Sequence, residues 1–154
     1  MFQRLISFLL LLTVGYLSDA QTPTLKSSIS EIHYDANVNN PLTTIELKQI
    51  KEVYGEYADK YVLDHPERLK GVKNILRNRV IIEEISDPKY SKEGELLSKV
   101  SLFTSFVKDL TRDDVFNPQT FNPLKYNFEF YSKHASAFKV DGTNYIIIIK
   151  SQYQ

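Results

Sequence analysis

The chain has 154 residues, of which 42% are hydrophobic and 25% charged, a composition typical of a globular protein rather than a disordered one. Nineteen Lys and Arg residues balance nineteen Asp and Glu residues, which argues against nucleic acid or an anionic lipid surface as a partner because both require clustered positive charge. There is no cysteine, so disulfides, cysteine nucleophiles and a lipoprotein anchor are excluded.

The first twenty residues have the three-part layout of a secretory signal peptide. Arg4 supplies a positive charge, residues 5–17 form an apolar run, and small residues, Ser18 and Ala20, precede the expected cleavage point. The run of about 13 residues is shorter than the roughly 20 that a membrane-spanning helix needs. We therefore expect a secreted or periplasmic protein, with no membrane span after leader cleavage; an uncleaved anchor is the alternative.

Residues 21–42 are polar and are predicted to form an extended arm or a short edge strand. Within and just after them, Asp35, Asn37, Asn39 and Glu46 match positions 1, 3, 5 and 12 of an EF-hand loop. Asn40 replaces the glycine of that loop, and Pro41 disfavours the left-handed backbone needed there. The alternative interpretation is a polar turn in which Glu46 belongs to the helix that follows.

Two helices are predicted next. Thr43 and Glu46 form a capping box, and apolar residues then recur at spacings of three and four as far as His65. A second helix is expected with Asp64 as N-cap, Pro66 in the first turn and Asn78 as the stop. The basic side chains of this region are interpreted as a solvated helix face: Arg68, Lys70, Lys73, Arg77 and Arg79.

The middle of the chain is less regular. Residues 80–85 are β-rich and predict a strand, Asp87 and Pro88 predict a turn, and residues 89–94 a polar loop. Residues 95–110 fit either a helix or a strand, with helix slightly favoured. The tripeptide Phe-Asn-Pro, at residues 116–118 and again at 121–123, predicts a structured loop pinned by its phenylalanines.

The C-terminal third is predicted to be β. Alternation indicates a half-buried strand over residues 126–132. Asp141 and Gly142 predict a type I′ hairpin between strands 136–140 and 144–150. Four consecutive isoleucines at 146–149 predict a central strand covered on both faces.

Residues 121–126 and 141–145, with the isoleucine run, resemble the ends of small exported bacterial proteins of uncharacterised function. The resemblance covers roughly residues 112–152, and it implies a bacterial exported protein without implying an activity.

No catalytic, cofactor-binding or metal-ligating residue is identified from the sequence. The three histidines, His33, His65 and His134, lack zinc-ligand spacing. The carboxylate pairs at 83–84 and 113–114 are adjacent in sequence, and neighbouring strand residues face opposite ways, so the strand pair 83–84 is not expected to act as an acid and a base.

Tyrosine is abundant, with ten residues, and offers binding area at low entropy cost. The tyrosines considered as a carbohydrate- or protein-binding surface, or alternatively as edges of the core, are Tyr54, Tyr57, Tyr61, Tyr90, Tyr126, Tyr131, Tyr145 and Tyr153.

The sequence predicts an α+β fold, with one or two N-terminal amphipathic helices packed on an antiparallel sheet of about four strands. We expect residues 1–20 to be a signal peptide, 21–42 an arm and 43–154 a single domain. The expected function is a non-catalytic binding or envelope-associated accessory module with a protein or glycan partner. The alternatives are a calcium-stabilised module using residues 35–46, and a small hydrolase whose site is not visible in the sequence.

Overall fold

The computed structural model describes residues 31–86 and 94–153, and it has an α+β fold. The predicted signal peptide, the first part of the arm, the turn at 87–88 and Tyr90 lie outside the described residues. The elements in chain order are α1 (Thr44–Tyr54), α2 (Pro66–Asn74), β1 (Val80–Glu84), β2 (Glu95–Leu96), β3 (Ser136–Lys139) and β4 (Tyr145–Ile149).

Helix α1 begins at the predicted capping box. The Thr43 hydroxyl accepts from the Glu46 amide at 3.2 Å, and the Thr43 amide donates to the Glu46 carboxylate at 2.8 Å. The prediction that this helix continues to His65 is wrong. The helix ends at Tyr54 because Gly55 adopts a φ of 55°, and a π-helical turn, Asp59–Leu63, follows.

Helix α2 carries Pro66 in its first turn, as predicted. Its N-cap is His65 rather than Asp64, since the residue before proline is forced into extended backbone. A second π-helical turn, Ile75–Arg79, extends the helical segment one residue beyond the predicted stop at Asn78.

The four strands form a mixed sheet in the order β1-β4-β3-β2. Strand β4 pairs antiparallel with β1 and β3, whereas β2 runs parallel to β3, so the sheet is not wholly antiparallel as predicted. The β3–β4 hairpin is confirmed, but its turn is not type I′. Only Gly142 of the two turn residues has a positive φ, 67°, and Thr143 donates to the Val140 carbonyl across the turn.

The isoleucines of β4 alternate between two faces. Ile147 and Ile149 are 0% and 2% exposed and pack into the core, while Ile146 and Ile148 are half-buried on the opposite face. The core has two parts, one beneath the sheet and one between the helices. Val80 and Phe130 pack against both parts and join them.

Two predicted elements are wrong. Residues 126–132 are not a sheet strand, although Tyr126 and Phe128 are buried. Their only described ladder contact is a bridge from Tyr126 to Leu102, and Glu129, with a φ of 44°, ends the extended run. The outcome shows that alternation reports the burial of one face of an extended segment and does not by itself specify pairing with another strand.

Residues 95–110 are not a helix. After β2 and a 3-10 turn, Leu97–Lys99, the chain is irregular. The Arg112 guanidinium donates to the carbonyl oxygens of Leu97, Ser98 and Val100, so the carbonyls that a helix would use internally bind an arginine instead.

The described part of the predicted arm is not extended throughout. Ala36–Asn39 form a 3-10 turn, and Val38 is 1% exposed. Among residues 31–86 and 94–153, none of the helices combines the length and apolarity needed to cross a membrane.

Candidate functional site

The candidate site richest in aromatic and basic side chains lies along α2. A cavity of about 440 Å³ adjoins a second of about 320 Å³, and both are lined by Tyr54, Val72, Ile75 and Tyr131. Their volumes lie in the range of small-molecule sites. We call the two cavities together the tyrosine cleft. Its aromatic and cationic lining includes Tyr34, Tyr54, Tyr61, Phe106, Tyr131, Arg68 and Arg79.

One wall of the tyrosine cleft is an aromatic cluster. Tyr54 and Tyr61 lie on either side of the helix break at Gly55, and the ring of Phe106 packs against both with centroid distances of 4.9 Å. Tyr57 also contacts Phe106, at 5.9 Å, but does not line the cleft. All three tyrosines therefore pack against Phe106, and the rings of Tyr54 and Tyr61 also line the cavity.

Tyr131 stands at the mouth of the cleft and is 80% exposed. It is presented by a tight turn in which Glu129 adopts the left-handed backbone and the Ser132 amide donates to the Glu129 carbonyl at 2.8 Å. Gln152 fixes the turn from the other side by donating to the Tyr131 carbonyl at 3.1 Å. A non-glycine residue at positive φ costs about 1 kcal/mol, and such strain is commonest at functional positions.

Arg79 supplies a buried cation to the cleft, since the residue is 6% exposed. Its Nε and Nη2 atoms donate to the Lys150 carbonyl at 3.2 and 3.0 Å, and Nη2 also donates to the Phe130 carbonyl. Among the described residues, no carboxylate forms an ion pair with Arg79 and none accepts a hydrogen bond from its Nη1. Burial lowers the pKa of Arg79 from its usual range.

The rim of the cleft carries further positive charge. The Arg68 guanidinium donates to the Tyr61 carbonyl at 3.2 Å and lies 6.0 Å from that ring's centroid. Lys60 lies 5.3 Å from the same ring, and Lys70 lies 4.4 Å from the ring of Tyr34. These distances are typical of cation–π contacts.

Acidic side chains are fewer in the cleft. Glu67 lines the larger cavity and Glu129 the smaller, and they are the only carboxylates that the described lining contains. Burial raises the pKa of the Tyr54 phenol, and the neighbouring Tyr131 raises it further while Arg68 opposes the rise. The phenol is therefore neutral at physiological pH and able to donate or accept a hydrogen bond.

No family model, curated protein or solved structure matches this chain. The chemistry of the tyrosine cleft is therefore the basis for assigning a function.

In the structure, the residues of the EF-hand pattern surround the guanidinium group of Arg77. Both carboxylate oxygens of Glu46 bind Arg77, with 2.5 Å from Oε1 to Nε and 2.7 Å from Oε2 to Nη2. The same guanidinium donates to the carbonyl oxygens of Asn37, Asn40 and Pro41. A guanidinium thus binds two of the oxygen ligands that the EF-hand pattern assigns to calcium, the Glu46 carboxylate and the Pro41 carbonyl. No described group of His, Asp or Glu side chains is placed to hold a metal ion.

The ion pair with Arg77 changes the titration of Glu46. The hydrogen bond from Arg77 lowers the pKa of Glu46 from 4.5 to about 2. Burial opposes this shift, and the capping bonds to Thr43 add to it. The sequence does not predict this ion pair because Arg77 lies 31 residues from Glu46 and no local pattern connects them.

The other candidate residues are dispersed. His33 pairs with Asp35 at 3.0 Å, and both side chains are more than half exposed; His65 and His134 are exposed elsewhere. Glu83 and Glu84 lie opposite Ile146 and Tyr145 on the sheet. Asp113 binds the buried Lys125 at 2.7 Å, and Glu52 binds it at 3.2 Å.

The prediction that the basic side chains between residues 68 and 79 form a solvated helix face is wrong for three of them. Lys73 is 8% exposed and donates to the Asn40 carbonyl, while Arg77 and Arg79 bind carbonyls inside the structure. Arg68 remains exposed and lines the cleft. Of the tyrosines considered for a binding surface, Tyr54, Tyr61 and Tyr131 line the larger cavity and Tyr126 the smaller, while Tyr145 packs on the core beside Phe116.

Proposed function

We propose that this chain is an exported, non-catalytic binding module and that its ligand occupies the tyrosine cleft. The observation that supports this most directly is the composition of the cleft. Phenol rings form its walls, and two guanidinium groups, those of Arg68 and Arg79, line it. Phenol rings and arginines are the side chains most enriched where proteins bind partners.

The arrangement of Tyr131 also supports binding. A large apolar ring is normally buried, and this one is 80% exposed on a strained turn beside a cavity. A ligand seated in the cleft would cover the ring. The contact would use an anchor whose backbone is already held by the bond from Gln152, which lowers the conformational entropy lost on binding.

Binding is tested by photo-cross-linking from inside and outside the cleft. We would place a benzophenone amino acid at Tyr131 in the tagged full-length chain, and at Val115 as a control, because both side chains are 80% exposed. Irradiation in the producing cells, followed by mass spectrometry, should yield a reproducible ligand adduct from position 131 alone. Equal adducts from both positions, or none from 131, would contradict the proposal.

Export is tested separately. Protein recovered from the producing cells should be found in the periplasmic or culture fraction with Gln21 as its first residue, as the signal-peptide pattern predicts. Cytoplasmic protein that retains Met1 would overturn the export part of the proposal and leave the cleft unaffected.

A further inference from the structure

The chemistry of the tyrosine cleft also narrows the class of ligand. Arg79 is 94% buried, given its 6% exposure, and it lines the larger cavity. Two of its nitrogens donate to the Phe130 and Lys150 carbonyls. Its third nitrogen, the terminal Nη1, carries two further hydrogens, and no described residue accepts from them. A buried cation is costly unless it is paired and hydrogen-bonded.

We propose that the ligand is a small organic acid in which a carboxylate is joined to a ring, with the carboxylate bound by Arg79 and the ring held among the tyrosines. This inference rests on the proposed binding function and goes beyond it by specifying the chemistry. The planar guanidinium matches a carboxylate in shape, and a charge-assisted hydrogen bond of this kind is stronger than a neutral one.

The electrostatic surroundings favour an anion. Arg68 adds a second guanidinium to the lining, and Lys60 and Lys70 stand over the rings of Tyr61 and Tyr34 at the rim. Against these positive groups, the described lining of the larger cavity contains one carboxylate, that of Glu67. An entering anion would therefore meet a net positive field, and burial strengthens that field at Arg79.

The aromatic walls favour a ring as the rest of the ligand. Tyr54, Tyr61 and Phe106 form a packed cluster with one side toward the cavity, and Tyr131 stands at the mouth. The hydrogen bonds from Arg68 to Tyr61 and from Gln152 to Tyr131 use backbone carbonyl oxygens and not the phenol hydroxyls. Either an aromatic ring or the apolar face of a sugar ring suits such walls.

The test uses matched pairs of charged and neutral probes with the full-length protein. Isothermal titration and ligand-observed NMR would compare benzoate with benzamide, and glucuronate with glucose. At low ionic strength the acid of at least one pair should bind about ten times more tightly than its neutral partner, since charge-assisted bonds contribute a factor of that order. The better pair distinguishes an aromatic acid from an acidic sugar. Equal binding within both pairs, or no binding by either acid, overturns the proposal.

Variants assign the effect to the cleft. Arg68→Gln should weaken binding of the acid about fivefold to tenfold and should affect the neutral probe less. The exposed Lys48→Gln, on α1 and outside the cleft lining, is the control and should leave both unchanged. Arg79→Met should abolish the preference for the acid. Because Arg79 also binds backbone carbonyls, its fold is checked by circular dichroism, and Arg68→Gln remains decisive if that variant is unfolded.

The outcomes separate this inference from the proposed function. A cross-link confined to position 131 together with equal binding of charged and neutral probes would support the binding function and overturn the proposal that the ligand is an acid. An acid preference that is insensitive to both Arg68→Gln and Arg79→Met would place the acid outside the cleft and overturn the inference.

Discussion

Arg77 and Arg79 stand two residues apart on one π-helical turn, and their guanidinium groups have different surroundings. Arg77 binds both oxygens of Glu46 and three backbone carbonyls, so its charge is balanced within the protein. Arg79 binds two carbonyls, and no described carboxylate balances it. Arg77 therefore joins segments of the chain, whereas Arg79 leaves positive charge at a cavity. Burial alone does not tell whether the charge of an arginine is balanced within the protein.

The largest expected effect comes from removing the balanced arginine. Arg77→Met would leave Glu46, whose side chain is 9% exposed, without its partner, and would leave three carbonyls without a donor. We expect the free energy of unfolding to fall by about 3 kcal/mol or more, the usual cost of breaking a buried pair from one side. Urea unfolding measures it, with Lys48→Gln as an exposed control. A loss below about 1 kcal/mol would show that the pair is not energetically buried.

Acid should weaken the protein through the same pair. The pKa of Glu46 is about 2 in the folded chain and 4.5 as its usual value. A lowered folded pKa stabilises the protein above pH 4.5, and this contribution is lost as the pH falls from 4.5 toward 2. The difference corresponds to roughly 3 kcal/mol. The free energy of unfolding, measured across this pH range, should decrease less steeply for Glu46→Gln than for the unaltered protein. Identical slopes would exclude Glu46 as the source of the acid sensitivity.

Arg79→Met should cost less than Arg77→Met. It removes the donors to the Phe130 and Lys150 carbonyls but leaves no described carboxylate unpaired, so a loss of about 1–2 kcal/mol is expected. The same urea experiment gives the comparison. A loss equal to that of Arg77→Met would mean that Arg79 has a structural role as large as that of Arg77, and the contrast between the two would disappear.

The smallest expected effect is that of calcium. Because Arg77 takes the oxygens of Glu46 and of the carbonyls at residues 37, 40 and 41, adding calcium or a chelator should leave the melting temperature unchanged. Thermal unfolding followed by circular dichroism measures this directly. A rise with calcium that is absent in Glu46→Gln would restore the calcium-stabilised alternative.

The elements that the sequence predicts well are those set by local chemistry. The Thr43–Glu46 capping box, Pro66 in the first turn of α2 and the hairpin around Gly142 each depend on residues a few positions apart. Sequence patterns read such short-range preferences directly, and the α+β class follows from them.

The elements that the sequence does not predict depend on distant partners. Arg79 reaches Lys150 across 71 residues, and no pattern around Arg79 distinguishes it from a solvated basic residue. Arg112 holds residues 97–100 out of a helix through three carbonyls. The sequence predicts tyrosines at a surface, and three of them line the larger cavity of the cleft, whereas it predicts the buried Arg79 to be a solvated residue.

The position of β4 has a consequence for the order of folding. Val80 in β1 pairs with Ile149 in β4, and β3 pairs with the other edge of the same strand. Strand β1 is therefore synthesised well before the strand that completes its hydrogen bonding, and the sheet closes only when about 70 further residues have been added. Contacts so far apart in sequence make folding slow compared with that of helical bundles. The helices can form early, whereas the core beneath the sheet can form only after β4 has been synthesised.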